Sequence, residues 1–293
     1  MNGDPQDYHI IQTKNLKEAL TYLADSDTKW TPLAGGTDLM VLLAAGLLPT
    51  GNYLSIWDLP ELNKIHIEDD SIVIGAGITF QEILTNQTIK KEFSMLTKAA
   101  EMTGSVAIQS RATIGGNIAN ASPAADTPPA LLCYDAIIEV TSIARGRIDY
   151  DYATFHLDYK KMQLKKDELI TAIKLPRSGK PHTDYYHKVG TREAQAISKI
   201  CFAARAYQQN NKVDDIRLAY ASVAPIPLRA RETEFFLMGK VICDQVIEKA
   251  CTKLAAELSP LDDIRSTAAY RKKVAANLLR EFLCGIGQKN YKS

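Results

Sequence analysis

The chain has 293 residues, 46% of them hydrophobic and 24% charged, with a formal net charge of +1. That length exceeds a typical single domain and predicts two, and the composition excludes a disordered or low-complexity chain. The balanced charge gives no footprint for nucleic acid, no apolar run is long enough for a membrane span, and the N-terminal MNGDPQDYHIIQ lacks the basic and apolar regions of a signal peptide, so a cytoplasmic protein is expected.

Leu16, Ala19, Leu20 and Leu23 recur at helical spacing behind Asn15, with Glu18 at the capping-box position, and predict a first helix. A strand-like KWTPLA runs into Gly35 and Gly36, and TDLMVLLAAGLL reads as a helix opened by Thr37 and Asp38. The first double glycine therefore marks a strand-to-helix turn. Apolar residues alternate on either side of Asp69 and Asp70 in IHIEDDSIVIG, a hairpin pattern. Two helical stretches, the first with Thr79 as its N-cap, fill the span from about Phe80 to Thr103, and TIGGNIANASPAADTPPALL then reads as a loop holding the second double glycine. AIIEVTSIARGRIDYDYATF predicts a hairpin turning at Arg145 and Gly146, and DELITAIKLP a strand ending at Pro176.

PRSGKPH, Pro176 to His182, is the best linker in the chain and divides it into domains over 1–178 and 183–293. Beyond it TDYYHKVGT, SKICFAARAYQ and DDIRLAYASVA predict three strands, the last two joined at Asn210 and Asn211. The helical patterns DQVIEKACTKLAAEL and AAYRKKVAANLLREFLCGI close the chain, so this part is α+β.

A glycine-rich turn at a helix start lets backbone N–H groups cradle a phosphate, and LAGGTDLM meets that description, although a double glycine also serves as a plain tight turn. The second motif adds Thr113, Asn117, Asn120, Ser122 and Asp126, more hydrogen-bonding side chains than a surface turn requires. Asp126 suits sugar or ribityl hydroxyls, whereas Asn120 and Ser122 also fit local side-chain-to-backbone turns. GAG at Gly75–Gly77 has Phe80 where a dinucleotide fingerprint needs glycine, and GxxxxGK[ST], GxSxG and HExxH are absent. The five cysteines, Cys133, Cys201, Cys243, Cys251 and Cys284, form no metal-binding pattern and are expected to be buried thiols. The five histidines are scattered and read as structural or exposed, and on the residues alone Lys188 and Arg192 read as solvated.

PLAGGTDL and RATIGGNIANASPAADTPPALLCYDA, followed by DELITAIKLP, YYHKVGTREAQAIS, LAYASVAPIPLRA and AAYRKKVAANLLREFL, resemble the FAD-binding subunit of the xanthine dehydrogenase and carbon monoxide dehydrogenase family of molybdenum hydroxylases, over nearly the whole chain. The resemblance implies an α+β fold: a two-lobed FAD-binding domain of the vanillyl-alcohol-oxidase type, with lobes of about 1–56 and 57–178, and a C-terminal domain of three antiparallel strands and a helical bundle. It implies that Leu33, Ala34, Gly35, Gly36, Thr37, Asp38, Leu39 and Met40 wrap the FAD pyrophosphate and that Thr113, Ile114, Gly115, Gly116 and Asn117 approach it from the other lobe. Ser122 and Asp126 would bond the phosphate–ribityl region, Leu169 or Ile170 would lie against a ring edge, and Lys188 would stand near the isoalloxazine. It further implies non-covalent FAD, no catalytic acid–base pair, and electron transfer from the [2Fe–2S] clusters of a small partner subunit to NAD or another acceptor, with molybdopterin on a large partner subunit. VAIQS, Val106 to Ser110, replaces the PQIRN of many relatives, and no cysteine cluster marks an inserted iron–sulfur loop. A self-contained flavin oxidase or reductase of the same fold superfamily would need an acid or base at the flavin, for which Tyr186 and His187 are the candidates.

Overall fold

The computed structural model describes residues 7–192 and 196–288. In chain order, β1 (Tyr8–Gln12), α1 (Leu16–Ala24), β2 (Trp30–Leu33), α2 (Thr37–Ala44) and β3 (Gly51–Ser55) build a first lobe. β3 lies between β1 and β2 and runs parallel to both. Such pairing needs crossovers, which α1 and α2 lie within. The Asn15 side chain accepts from the Glu18 N–H, while the Glu18 carboxylate takes the N–H of Lys14 instead of closing a capping box on Asn15. Ala19, Leu20 and Leu23 of α1 bury against Leu54, Leu59 and Leu62. α2, by contrast, buries none of its residues.

The second lobe comprises β4 (Ile65–Ile67), β5 (Ser71–Gly75), α3 (Phe80–Thr85), α4 (Gln87–Glu92), α5 (Ser94–Glu101), α6 (Val106–Gln109), α7 (Ile114–Ala119), α8 (Pro128–Cys133), β6 (Ile137–Ser142), β7 (Gly146–Asp151), α9 (Tyr152–Phe155), β8 (His156–Asp158), β9 (Lys161–Met162) and β10 (Leu169–Pro176). Its main sheet has the order β4-β5-β10-β6-β7, with every pair antiparallel. β10 is central, and its residues from Leu169 to Ile173 are all buried, as expected of a strand covered on both faces. Thr79 starts α3 with a complete capping box to Glu82, and the span holds three helices where two are expected, because Asn86, which ends α3, caps α4 with its side chain.

The second double glycine departs from the loop expected for it: TIGGNIA is α7, capped by the Thr113 side chain, which accepts from the Gly116 N–H. Glycine costs a helix about 1 kcal/mol per residue, and two in a row read as a break. The Thr113 cap and the fully buried Ile114 and Ile118, spaced i and i+4, favour the helix here.

The C-terminal part contains β11 (Thr183–Val189), β12 (Ile200–Gln209), β13 (Lys212–Ala221), β14 (Leu228–Arg229), α10 (Arg231–Leu237), α11 (Asp244–Glu257) and α12 (Ala268–Gln288). The three expected strands form an antiparallel sheet in the order β11-β12-β13, extended by β14, whose two residues are too few to show an alternation. Asn210 and Asn211 join β12 to β13 with φ of +52° and +61°, the left-handed pair that a tight hairpin turn requires. One face of this sheet packs on α11 and α12. Ala203 and Ala219 on the other face join the core of the second lobe, so the two parts share packing along β12 and β13. Cys133, Cys201 and Cys251 are buried as expected, but Cys284 is half-buried and Cys243 is exposed. Cys243 is the N-cap residue of α11, where the chain enters the helix from the surface.

Candidate functional site

A cleft of about 640 Å³ lies between the two lobes, within the size range of small-molecule sites. Its walls include Ala34 to Leu39 from the first lobe, Thr113 and Gly115 to Asn117 from the second, and the apolar pair Leu169 and Ile170. A larger polar cleft of about 790 Å³ sits apart, around residues 176–184. Several of its charges are paired, Arg177 with Glu92, Lys180 with Asp214 and Arg205 with Asp184.

At the first motif, Gly36 is the N-cap of α2 with φ +74° and offers no side-chain cap. Among the described residues the N–H groups of Thr37, Asp38 and Leu39 therefore meet no acceptor. Bare N–H groups at a helix start favour an anion. Gly35 does something different: a Cβ there would stand 1.7 Å from the Arg111 carbonyl oxygen. The lobes meet backbone to backbone at that point, and the Arg111 guanidinium lies 3.9 Å from the centre of the Trp57 ring.

At the second motif every N–H is engaged. Ile114 donates to Ile78 O, Gly115 to Ala76 O, Gly116 to the Thr113 hydroxyl and Asn117 to Thr113 O. A Cβ on Gly115 would approach the Ala76 Cβ to 2.6 Å, so this glycine allows α7 to lie directly on the chain beyond β5. Gln109, from the segment that departs from PQIRN, is buried and donates to Glu101 O at 2.9 Å.

Of the other expected residues, Leu33 lies in β2, Met40 is exposed on α2, and Ile114 is buried in the core. None of the three lines the cleft. Ser122 makes a local turn, accepting from the Ala124 N–H at 3.3 Å. Asn120 instead reaches across the lobes: its Nδ2 donates to Asp38 Oδ1 at 3.0 Å, and its carbonyl accepts from Lys160 Nζ at 2.8 Å.

Asp126 and Lys188 stand behind the cleft wall as a buried ion pair, with Nζ 2.7 Å from Oδ2. The Lys188 side chain is only 6% exposed, so it is not the solvated strand lysine its local text suggests. Burial pushes the Asp126 carboxyl above the usual range, opposed by the Lys188 ammonium and by the Ser198 hydroxyl, which donates to Oδ1 at 2.5 Å. Arg192 is exposed, and residues 193–195 of the same segment lie outside the described residues.

Glu168 lines the cleft and went unnoticed in the sequence. It is 3% exposed, it accepts from the Arg145 guanidinium, and its Oε2 accepts from the Lys165 N–H at 2.9 Å. In KKDELI it looks like one more surface charge. Only its distant partner Arg145 explains its burial.

A helix start with bare N–H groups, a cleft between two lobes and an apolar far wall together suit a long dinucleotide with a flat ring system. The chain matches the family model described as FAD binding domain in molybdopterin dehydrogenase over residues 6–178, and that of the CO dehydrogenase flavoprotein C-terminal domain over residues 185–285. It is 30% identical over 274 residues to the glyceraldehyde dehydrogenase medium chain of Sulfolobus acidocaldarius, covering 92% of this chain and 95% of that one. It is 29% identical over 278 residues to the xanthine dehydrogenase FAD-binding subunit of Escherichia coli O157:H7, covering 94% of each. A solved structure of carbon monoxide dehydrogenase from Hydrogenophaga pseudoflava aligns with a TM-score of 0.88 at 25% identity, covering 94% of this chain and 95% of that one. No helix among the described residues is long and apolar enough to cross a membrane.

Proposed function

The chain belongs to the FAD-binding subunits of the xanthine dehydrogenase and carbon monoxide dehydrogenase family, which are oxidoreductases, and from that premise we propose that it is the electron-transfer subunit of a molybdenum-containing hydroxylase. On this reading it stands in a cytoplasmic complex between a small partner carrying [2Fe–2S] clusters and NAD or another acceptor, while a large molybdopterin partner hydroxylates the substrate. When bound, FAD supplies the redox chemistry, taking up electrons and delivering them to the acceptor.

This chain's residues bind and orient. Gly35 to Leu39 offer their N–H groups to the FAD pyrophosphate, with Leu33, Ala34 and Met40 shaping the turn around them. Thr113, Gly115, Gly116 and Asn117 form the opposing wall with Ile114 anchoring it in the core, Leu169 and Ile170 an apolar face for a ring edge, and Ser122, Asp126 and Lys188 support the phosphate–ribityl and isoalloxazine ends from behind it. Among the described residues no histidine or cysteine lines the cleft, which supports non-covalent FAD. The domains of the proposal are 1–178, in lobes of about 1–56 and 57–178, and 183–293.

The observation that carries the reading is the uncapped start of α2, with Gly36 in the left-handed region, opening on a cleft between two lobes. The rival, a self-contained flavin oxidase, finds little support in its two candidates. The Tyr186 hydroxyl donates to Asp126 O at 2.9 Å, whereas the exposed His187 stacks on Tyr185, whose ring also packs against Phe282 of α12. Neither residue lines the cleft. The test is to load the chain with FAD and mix it anaerobically with the pre-reduced [2Fe–2S] partner, following flavin bleaching. Bleaching that depends on the partner supports the proposal; turnover of a small substrate by the loaded chain alone would establish the rival.

A further inference from the structure

We propose that Ser198 is a positioning residue for the flavin site: its hydroxyl holds Asp126 in the ion pair with Lys188, and that pair secures two separate parts of the cleft wall. The inference rests on the FAD reading above.

Asp126 is 9% exposed, and among the described residues two side chains donate to its carboxylate: Lys188 to Oδ2 at 2.7 Å and Ser198 to Oδ1 at 2.5 Å. From this junction two short paths reach the cleft. Lys188 Nζ also donates to Met102 O at 2.8 Å, and the next residue, Thr103, lines the cleft. Thr127, which follows Asp126, donates from its hydroxyl to Asn117 Oδ1 at 2.5 Å, and Asn117 lines the cleft as well. A shift of Asp126 is therefore passed on to both sides of the wall.

Ser198 is itself anchored by the C-terminal part. It is 1% exposed, and its carbonyl accepts from the Ser222 hydroxyl at 3.1 Å. Ser222, held at φ +67°, donates its N–H to Pro123 O at 2.8 Å and accepts from Arg271 Nη1 at 3.0 Å. Arg271, in α12, is fixed in turn by both carboxylate oxygens of Asp263 at 2.8 Å. An unbroken chain of hydrogen bonds thus runs from the helical bundle to the flavin domain, and Ser198 is the link at which it crosses to Asp126.

Among the described residues the titratable groups facing Asp126 are Lys188 and Tyr186 from β11 and Cys201 from β12. Tyr186 and Cys201 meet its carbonyl, not its carboxylate, and Lys188 and Ser198 oppose the effect of burial. Without the serine hydroxyl, Asp126 takes up a proton at a higher pH, and the Lys188 charge is left uncompensated.

The test is a fluorescence titration of FAD into the full chain and into Ser198→Ala at pH 6 and pH 8, with the flavin midpoint potential at each pH. Loss of one hydrogen bond to a buried charge predicts FAD affinity weaker by about tenfold. The loss is greater at the lower pH, where the freed Asp126 binds a proton more readily, and the potential there moves to a more positive value. Parent-like affinity and potential at both values overturn the proposal. So does a fall in thermal stability with an unchanged pH profile, which would make Ser198 merely structural. Should Ser198→Ala not fold, Ser198→Cys keeps the shape with a poorer donor and is read in the same way. A parent chain that takes up no FAD overturns the flavin reading itself, and the proposal with it; a parent that binds FAD beside an indifferent Ser198→Ala overturns the proposal only.

Discussion

Gly35–Gly36 and Gly115–Gly116 face one cleft, yet the first pair ends a strand and opens a helix with bare N–H groups, while the second lies inside a helix with every N–H engaged. Doubled glycine in a sequence therefore reports two different needs. One is a left-handed residue that starts a helix without a side-chain cap, as at Gly36. The other is the lack of a Cβ where backbones touch, as at Gly35 and Gly115. The first need supplies donors to a ligand, and the second brings the walls close enough to share one.

The comparison breaks first at Gly35. In Gly35→Ala the added carbon meets the Arg111 carbonyl at 1.7 Å, and a backbone atom between two lobes cannot rotate away. A loss of about 3 kcal/mol in urea unfolding is expected, together with loss of FAD binding by fluorescence titration. Parent-like stability would mean that the lobes do not meet there. Gly115→Ala comes next, with its carbon 2.6 Å from the Ala76 Cβ and 2.7 Å from the Ala76 oxygen. It is expected to cost about 2 kcal/mol. Adding Ala76→Gly should restore part of that, because it removes the Cβ contact and leaves the carbonyl one.

The second member of each pair sharpens the contrast. Gly36 has no neighbour closer than 3.4 Å to an added carbon, so Gly36→Ala suffers only from φ +74°, about 1 kcal/mol. Gly116 has no positive φ, and its added carbon meets the Thr113 hydroxyl at 2.9 Å. Gly116→Ala loses part of a helix cap and gains helix propensity, each about 1 kcal/mol. Its unfolding midpoint should stay near the parent's. A harmless Gly36→Ala would mean that the start of α2 does not need its left-handed residue, and a severe Gly116→Ala would mean that the close-contact role of Gly115 extends to its neighbour.

Local signals in the sequence carried far. The caps at Asn15 and Thr79, the turns at Asp69–Asp70 and Asn210–Asn211, and the strand-to-helix placement of Gly35–Gly36 each depend on a few adjacent residues, and the structure has them where the text puts them. Short or tertiary features were not legible. β1 and β3 are five-residue strands that acquire meaning only by pairing with each other. The bond from Asn120 to Asp38 spans 82 positions and the pair Lys188–Asp126 spans 62, and one sequence carries no mark of such partnerships. For the same reason α7 was hidden, since its glycines argue against a helix locally and its buried isoleucines argue for one only once the core exists.

The smallest expected effect lies at the far end of α7. His156 is buried and its Nε2 is 3.1 Å from the carbonyl oxygen of Ile118, which places a proton on Nε2 whether the ring is neutral or charged. Burial holds its pKa below the ordinary value of 6.5, and the Ile118 carbonyl offsets this only in part. Below that pH the unfolded chain binds a proton that the folded chain refuses, so the stability it confers is present above 6.5 and is lost as pH falls. The slope is at most about 1.4 kcal/mol per pH unit for one group. His182 is shifted the same way, by burial and then by Arg205, so His156→Asn should reduce the slope of unfolding free energy between pH 6.5 and 5.5 without abolishing it. The carboxylates Glu92 and Asp135 are held below their ordinary values by arginine partners, and Asp263 first by the backbone N–H groups of Arg265 and Ser266 and then by Arg271, and they contribute in a more acidic window that does not overlap this one. An unchanged slope in His156→Asn would mean that His156 is protonated in the folded protein, and that α7 is not tied to β8 through a neutral imidazole.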